Sequence, residues 1–206
     1  MNASVLCSTM TIVSDSLNAW ARLEWRDPAV TLRELRALEL ATANLDVSDK
    51  VRRLRTGDLK HIREGRNAAL FSHGMATATG NKVYFAPFEA ADYDFGTSWI
   101  VGDERLYCPV QLKELPPSDL APTSSLKDLL SSLGKYQQTD TVLALLLNRP
   151  AQLSAPELAA TRIPFSQAGL FWCASPDQER WVIQGDILAS SATYEVTYPL
   201  LEVGAA

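Results

Sequence analysis

With 206 residues, 47% of them hydrophobic and 21% charged, the chain is long enough to bury a full core, and one compact domain is expected. A formal net charge of −5 argues against a protein that coats nucleic acid by bulk electrostatics, since that mode scales with the number of phosphates neutralised by Lys and Arg. Cys7, Cys108 and Cys173 form neither a disulfide framework nor a zinc-ligand spacing, and no apolar run approaches a membrane span, so a cytoplasmic protein with no membrane attachment is expected.

The first fifty residues read as helical. Ser14-Asp15-Ser16 is placed to cap a run carrying Leu17, Trp20, Ala21 and Leu23, and Asp27-Pro28 is expected to end it, because proline cannot continue a helix. Thr31 and Glu34 have the spacing of a capping box, and Leu32, Leu35, Leu38 and Leu40 follow at roughly helical intervals. A third helix is predicted from Gly57 to about Met75, with Gly74 placed to end it. Then the texture changes. Val83-Tyr84-Phe85, Tyr93 to Val101 and Arg105 to Leu115 are strand candidates. After a Pro/Ser-rich link comes an amphipathic helix from Ser125 to Tyr136, and Thr141 to Leu147 is an apolar run of buried-strand length. The tail adds a short helix near Ala155 to Ala160 and strands at Gly169 to Ala174 and Arg180 to Ile187, with Ser175-Pro176-Asp177 as the turn between them. The expected class is α/β, a central mixed sheet flanked by helices. Its parts are an N-terminal helical segment (1–50), a core (51–150) and a β extension of the same domain (151–206).

The passage from Asp92 to Lys113 carries the most chemistry. Gly102-Asp103 fits a two-residue type II′ turn, with glycine at the position that needs a positive φ. Val101 then pairs with Glu104, and the same register sets Asp94 opposite Gln111 and Asp92 opposite Lys113. Side-chain alternation places all four on one face. A carboxylate, an amide and an ammonium would converge there. Phosphodiester hydrolysis needs such a set: oxygen ligands for a hard divalent cation, and a positive charge near the attacking water. Asp94 would supply the carboxylate, Gln111 a carbonyl oxygen and Leu112 its main-chain carbonyl, with Lys113 acting on the water or the developing charge. Asp94 and Lys113 would equally serve as an ordinary cross-strand ion pair on a solvated sheet face.

An acid on the second strand followed by acid-x-Lys on the third, in the order helix, three strands, helix, strand, resembles the PD-(D/E)xK nuclease superfamily. Gln111-Leu112-Lys113 is similar to the Gln-x-Lys variant of some Mrr-type and transposon-end-cleaving members. The resemblance spans about 57–148. It implies a restriction-endonuclease-like core, Mg²⁺ or Mn²⁺ as cofactor and DNA as partner, with Glu64 as an accessory residue on the preceding helix and Tyr136 and Gln137 in an auxiliary position. Tyr93 stands where the family has proline, and Gln111 is a neutral ligand. A non-catalytic binding or inhibitory protein on the same fold is therefore the rival, and an adaptor using the N-terminal helices to hold a protein partner is a third reading.

Other candidates are weaker. Glu89 or Asp92 would replace Asp94 if the strand begins differently or carries a bulge. The basic stretch from Lys50 to Arg66 nominates Arg52, Arg53, Arg55 and Arg63 as phosphate contacts, against the plainer reading of a solvated helix face. His61 and His73, the only histidines, read as surface or packing residues. The scattered tryptophans read as core more readily than as base-stacking platforms. No phosphate loop or nucleophile elbow is present.

Overall fold

The computed structural model describes residues 14–90, 93–136, 139–152, 161–189 and 192–200. Its centre is a mixed seven-stranded sheet whose strands lie in chain order. β1 (Val83–Ala90), β2 (Tyr93–Val101) and β3 (Glu104–Leu115) are antiparallel neighbours. β4 (Thr139–Leu147) and β5 (Phe165–Cys173) run parallel to β3, and β6 (Arg180–Gln184) and β7 (Thr193–Thr197) return antiparallel. The change of direction follows from the connection, because parallel neighbours need a crossover. A helix of 126–132 and the 3-10 turn Leu133–Lys135 supply it between β3 and β4. The apolar run Val142–Leu146 is buried throughout, as a central parallel strand covered on both faces should be.

Five helices are described: α1 (Ser14–Ala21), α2 (Pro28–Thr42), α3 (Asp49–Arg52), α4 (Lys60–Thr79) and α5 (Leu126–Ser132). α2 and α4 cover one face, where Leu32, Phe71 and Met75 meet Phe85, Phe95, Val110, Phe171 and Ile183. α5 covers the other, setting Leu126, Leu130 and Leu133 against Leu115, Leu143, Leu145 and Phe165. Ser125 caps α5 by accepting from the Asp128 amide.

Several expectations need correction. Asp27-Pro28 starts a helix instead of ending one: Asp27 accepts from the Ala29 and Val30 amides, and Pro28 sits at the first helical position, where its missing N–H costs nothing. α4 runs past Gly74 and stops at Gly80, which takes φ 69°. Gly74 instead permits close packing, since a Cβ there would lie 3.0 Å from Ile183 Cδ1. The basic stretch is no single helix face, for it is broken into α3, a turn at Leu54 (φ 53°), a 3-10 turn and the start of α4. Around Gly96 the even-numbered face of β2 is not solvated either, although Ile100 at the hairpin end is exposed. The Trp20 ring lies over Gly96, and Trp25, Phe88, Tyr93 and Tyr107 surround it. β6 ends at Gln184, and β7 is an additional strand. The helix expected near 155–160 falls outside the described residues.

Candidate functional site

The turn at Gly102 fixes the hairpin. Gly102 has φ 62° while Asp103 has no positive φ, as a type II′ turn requires, and the ladder runs from Val101↔Glu104 to Phe95↔Val110. Pairing stops there, close to a register shift in the β1–β2 ladder between Pro87 and Ala90. Past the last pair, the Asp94 carboxylate takes over the role of a strand. It accepts a hydrogen bond from Gln111 Nε2 and another, at 2.7 Å, from the Leu112 amide. The N–H and C=O of one strand residue point to the same side, so the Leu112 carbonyl also faces the opening between β2 and β3. Gln111 is 3% exposed, so its amide is held rather than free to roam.

Lys113 shares the face of Gln111 by alternation, and its ammonium lies 5.4 Å above the Tyr136 ring, which also receives Lys135 at 5.3 Å. Among the described residues Lys113 makes no ion pair with Asp94, so the pair is not an ordinary cross-strand salt bridge. Asp94, Gln111 and Leu112 are thus brought together, while Lys113 shares their face of the sheet with its ammonium over Tyr136. Glu64 is not: it pairs with Lys60 along α4, which covers the opposite face of the sheet. The Glu89 side chain, Asp92 and Gln137 lie outside what is described.

The donor set is one carboxylate, one main-chain carbonyl and one amide that would present its oxygen after a half-turn. Among the described residues no three His, Cys, Asp or Glu side chains converge, so no closed cage is built. Mg²⁺ does not require one, because it is commonly held by one or two carboxylates, water and substrate phosphates. The residues fit a hard cation of that kind.

A second constellation gathers the basic stretch. α3 closes in a Schellman-type turn: the Arg55 amide reaches the Lys50 carbonyl at 2.7 Å and the Leu54 amide reaches Val51 at 2.9 Å, with Leu54 left-handed where glycine is usual. The turn aims Arg55 at Glu114, which it grips with both terminal nitrogens. Asn148 donates to the same carboxylate at 2.5 Å, and Arg63 Nε stands 4.0 Å from it. Glu114 follows Lys113 in β3 and so points to the other face. Together with Arg52, Arg53, Arg66 and Arg149 these residues line a cavity of about 980 Å³. Arg53 donates to Asp119 and holds that carboxyl below its usual range.

Compared with known proteins, the chain matches no family model, no curated protein and no solved structure at a significant level. Its chemistry is therefore read from its own residues.

The cleft was half visible in the sequence. The basic stretch announced Arg52, Arg53, Arg55 and Arg63, but nothing local announced Glu114, Asn148, Arg149 or Trp172, which arrive from the carboxyl ends of β3, β4 and β5. His61 is exposed. His73 packs α4 against β7 through the Thr197 carbonyl at 3.1 Å, and burial pushes its imidazole below the ordinary histidine range. Among the described residues no helix is long and apolar enough to cross a membrane.

Proposed function

We propose that the chain is a metal-assisted phosphodiester hydrolase acting on DNA, built on a restriction-endonuclease-like core. One observation carries the reading: where β2 parts from β3, the Asp94 carboxylate meets Gln111 and the main chain of Leu112, with Lys113 on the same face. Asp94, the Leu112 carbonyl and a turned Gln111 amide would hold Mg²⁺ or Mn²⁺. The bound ion would polarise the phosphate and make hydroxide available near neutral pH. Lys113 balances charge on the phosphate and orients the water, and the Tyr136 ring keeps its ammonium close to the sheet.

A specific observation favours the rival. Gln111 turns its nitrogen to Asp94, so the pair already satisfies itself, and in that state it works as a strand-end clasp in a non-catalytic binding protein.

Asp94→Asn separates the two readings. Both native bonds reach one oxygen, so an amide oxygen in its place still accepts from Gln111 Nε2 and from the Leu112 N–H, and the fold holds while the charge is gone. The hydrolase reading expects loss of Mg²⁺ binding by calorimetry and loss of cleavage of duplex or single-stranded DNA. Lys113→Gln should keep metal binding and lose cleavage. Gln111→Glu should tighten metal affinity, since a hard cation gains more from a charged oxygen. If neither the native protein nor Gln111→Glu binds metal or cuts nucleic acid, the hydrolase reading fails and the clasp stands.

A further inference from the structure

The arginine cleft carries charge that its own acids leave uncancelled. Arg53, Arg55 and Arg66 face Asp119, Glu114 and Glu39. Among the described residues, Arg52 and Arg149 instead donate to the main-chain carbonyls of Leu45 and Ala121, at 3.0 and 3.1 Å. Arg63 donates to the Leu54 carbonyl at 3.2 Å and shares a Glu114 oxygen that Arg55 already uses. A carbonyl orients a guanidinium without neutralising it, and each guanidinium has five N–H donors, so most of them remain for a ligand. Among the described residues, six arginines against three acids thus leave an excess of three positive charges in one cleft of a chain whose net charge is −5.

The site is built rather than incidental. Leu54 is held left-handed, a conformation costly for a side-chain-bearing residue, and its carbonyl is the one that orients Arg63. The cleft opens at the carboxyl ends of parallel β4 and β5, the position where open α/β sheets bind ligands. Its volume is at the upper end of the roughly 300–1,000 Å³ typical of small-molecule sites, enough for phosphates and an attached base.

We infer that this cleft binds a chain of phosphate groups, supplied either by a nucleotide polyphosphate or by a nucleic-acid backbone. Several planar guanidinium forks match phosphate oxygens two at a time. The inference does not rest on the hydrolase reading, because Lys113 and Glu114 project to opposite faces of β3.

The test uses the full chain in EDTA, so that no divalent metal takes part, titrated by calorimetry with inorganic tripolyphosphate and separately with a short single-stranded oligonucleotide. Saturable, salt-sensitive binding is expected, and Arg52→Gln with Arg149→Gln should weaken it about ten-fold or more. The double change Arg105→Gln with Lys127→Gln removes the same charge from exposed positions elsewhere and should leave affinity nearly unaltered. Tight binding of tripolyphosphate alone identifies a nucleotide polyphosphate as the source; binding that needs the oligonucleotide identifies a strand. If neither probe binds, or if the two double variants lose affinity equally, the cleft is no phosphate site. Arg63→Lys guards against misfolding, since it keeps the charge but loses the fork: intermediate affinity supports the site, and native affinity counts against it.

Discussion

Replacing Gly96 by alanine tests how α1 is held to the sheet. A Cβ at this position would stand 2.4 Å from Trp20 Cζ3, 3.0 Å from Cη2 and 3.2 Å from Cε3, all atoms of one rigid indole. Carbon atoms need about 3.5 Å or more, so the ring must retreat by roughly 1 Å. It has little room, because Trp20 is 5% exposed and surrounded by Trp25, Phe88, Tyr93 and Tyr107. Overpacking of this kind costs about 1–3 kcal/mol. The ceiling is loss of the tryptophan's burial altogether, about 3–5 kcal/mol. Urea denaturation followed by far-ultraviolet circular dichroism reads the change, with thermal midpoints falling by about 2–4 °C per kcal/mol at this chain length. In a Trp20→Leu background the same substitution should be nearly neutral, giving a coupling energy of about 1–3 kcal/mol in the double-mutant cycle. A Gly96→Ala protein within about 0.5 kcal/mol of native, or an equal cost in both backgrounds, would refute the seating of Trp20 on Gly96.

Other outcomes follow from single contacts. Glu114→Gln leaves Arg55 and Arg63 side by side without their anion, in a setting only 18–23% exposed, so stability should fall by about 1–3 kcal/mol while tripolyphosphate affinity rises; both moving in the same direction would contradict the charge argument. Tyr198→Phe removes a buried 3.0 Å bond to the Leu32 carbonyl and should cost about 0.5–1.5 kcal/mol in urea denaturation; a neutral result would mean that this bond does not tie α2 to the C-terminal strand. His73 is less basic folded than unfolded, mainly through burial, so its contribution is full above the unfolded pKa of about 6.5 and is lost as pH falls through the lower folded value. Urea midpoints should therefore drop on acidification below neutrality, and His73→Gln should flatten that slope; an identical slope would clear His73 of the role.

The legible parts of the fold are those where local chemistry decides. The Gly102 turn set the register of β2 and β3, and with it the meeting of Asp94 and Gln111, because a two-residue loop leaves one pairing. The apolar run of β4 announced a strand covered on both faces. What was misread depends on partners distant in sequence. Gly74 looks like a helix stop until Ile183 is known to press on it, whereas Pro28 alone was a local miss, since Asp27 beside it is a ready cap and proline suits a first helical position. The even face of β2 looks solvated until Trp20 is placed over it. Glu64 lay on the right helix, but a helix prediction does not say which face of the sheet that helix will cover.

Because every ladder joins strands adjacent in the chain, the sheet can be laid down in the order in which it is synthesised. One set of contacts must wait. The second half of α4 is completed by β6 and β7, through Gly74 against Ile183 and His73 against Thr197, which leave the ribosome roughly a hundred residues later. At about 5–20 residues per second, that face of α4 stays uncovered for some 5–20 s on each new chain. Phe71 does not wait with it, because it packs on Phe95 and Phe171, which are made earlier. What waits on each new chain is therefore the narrow side of α4 that carries His73 and Gly74, and it closes only when β6 and β7 arrive.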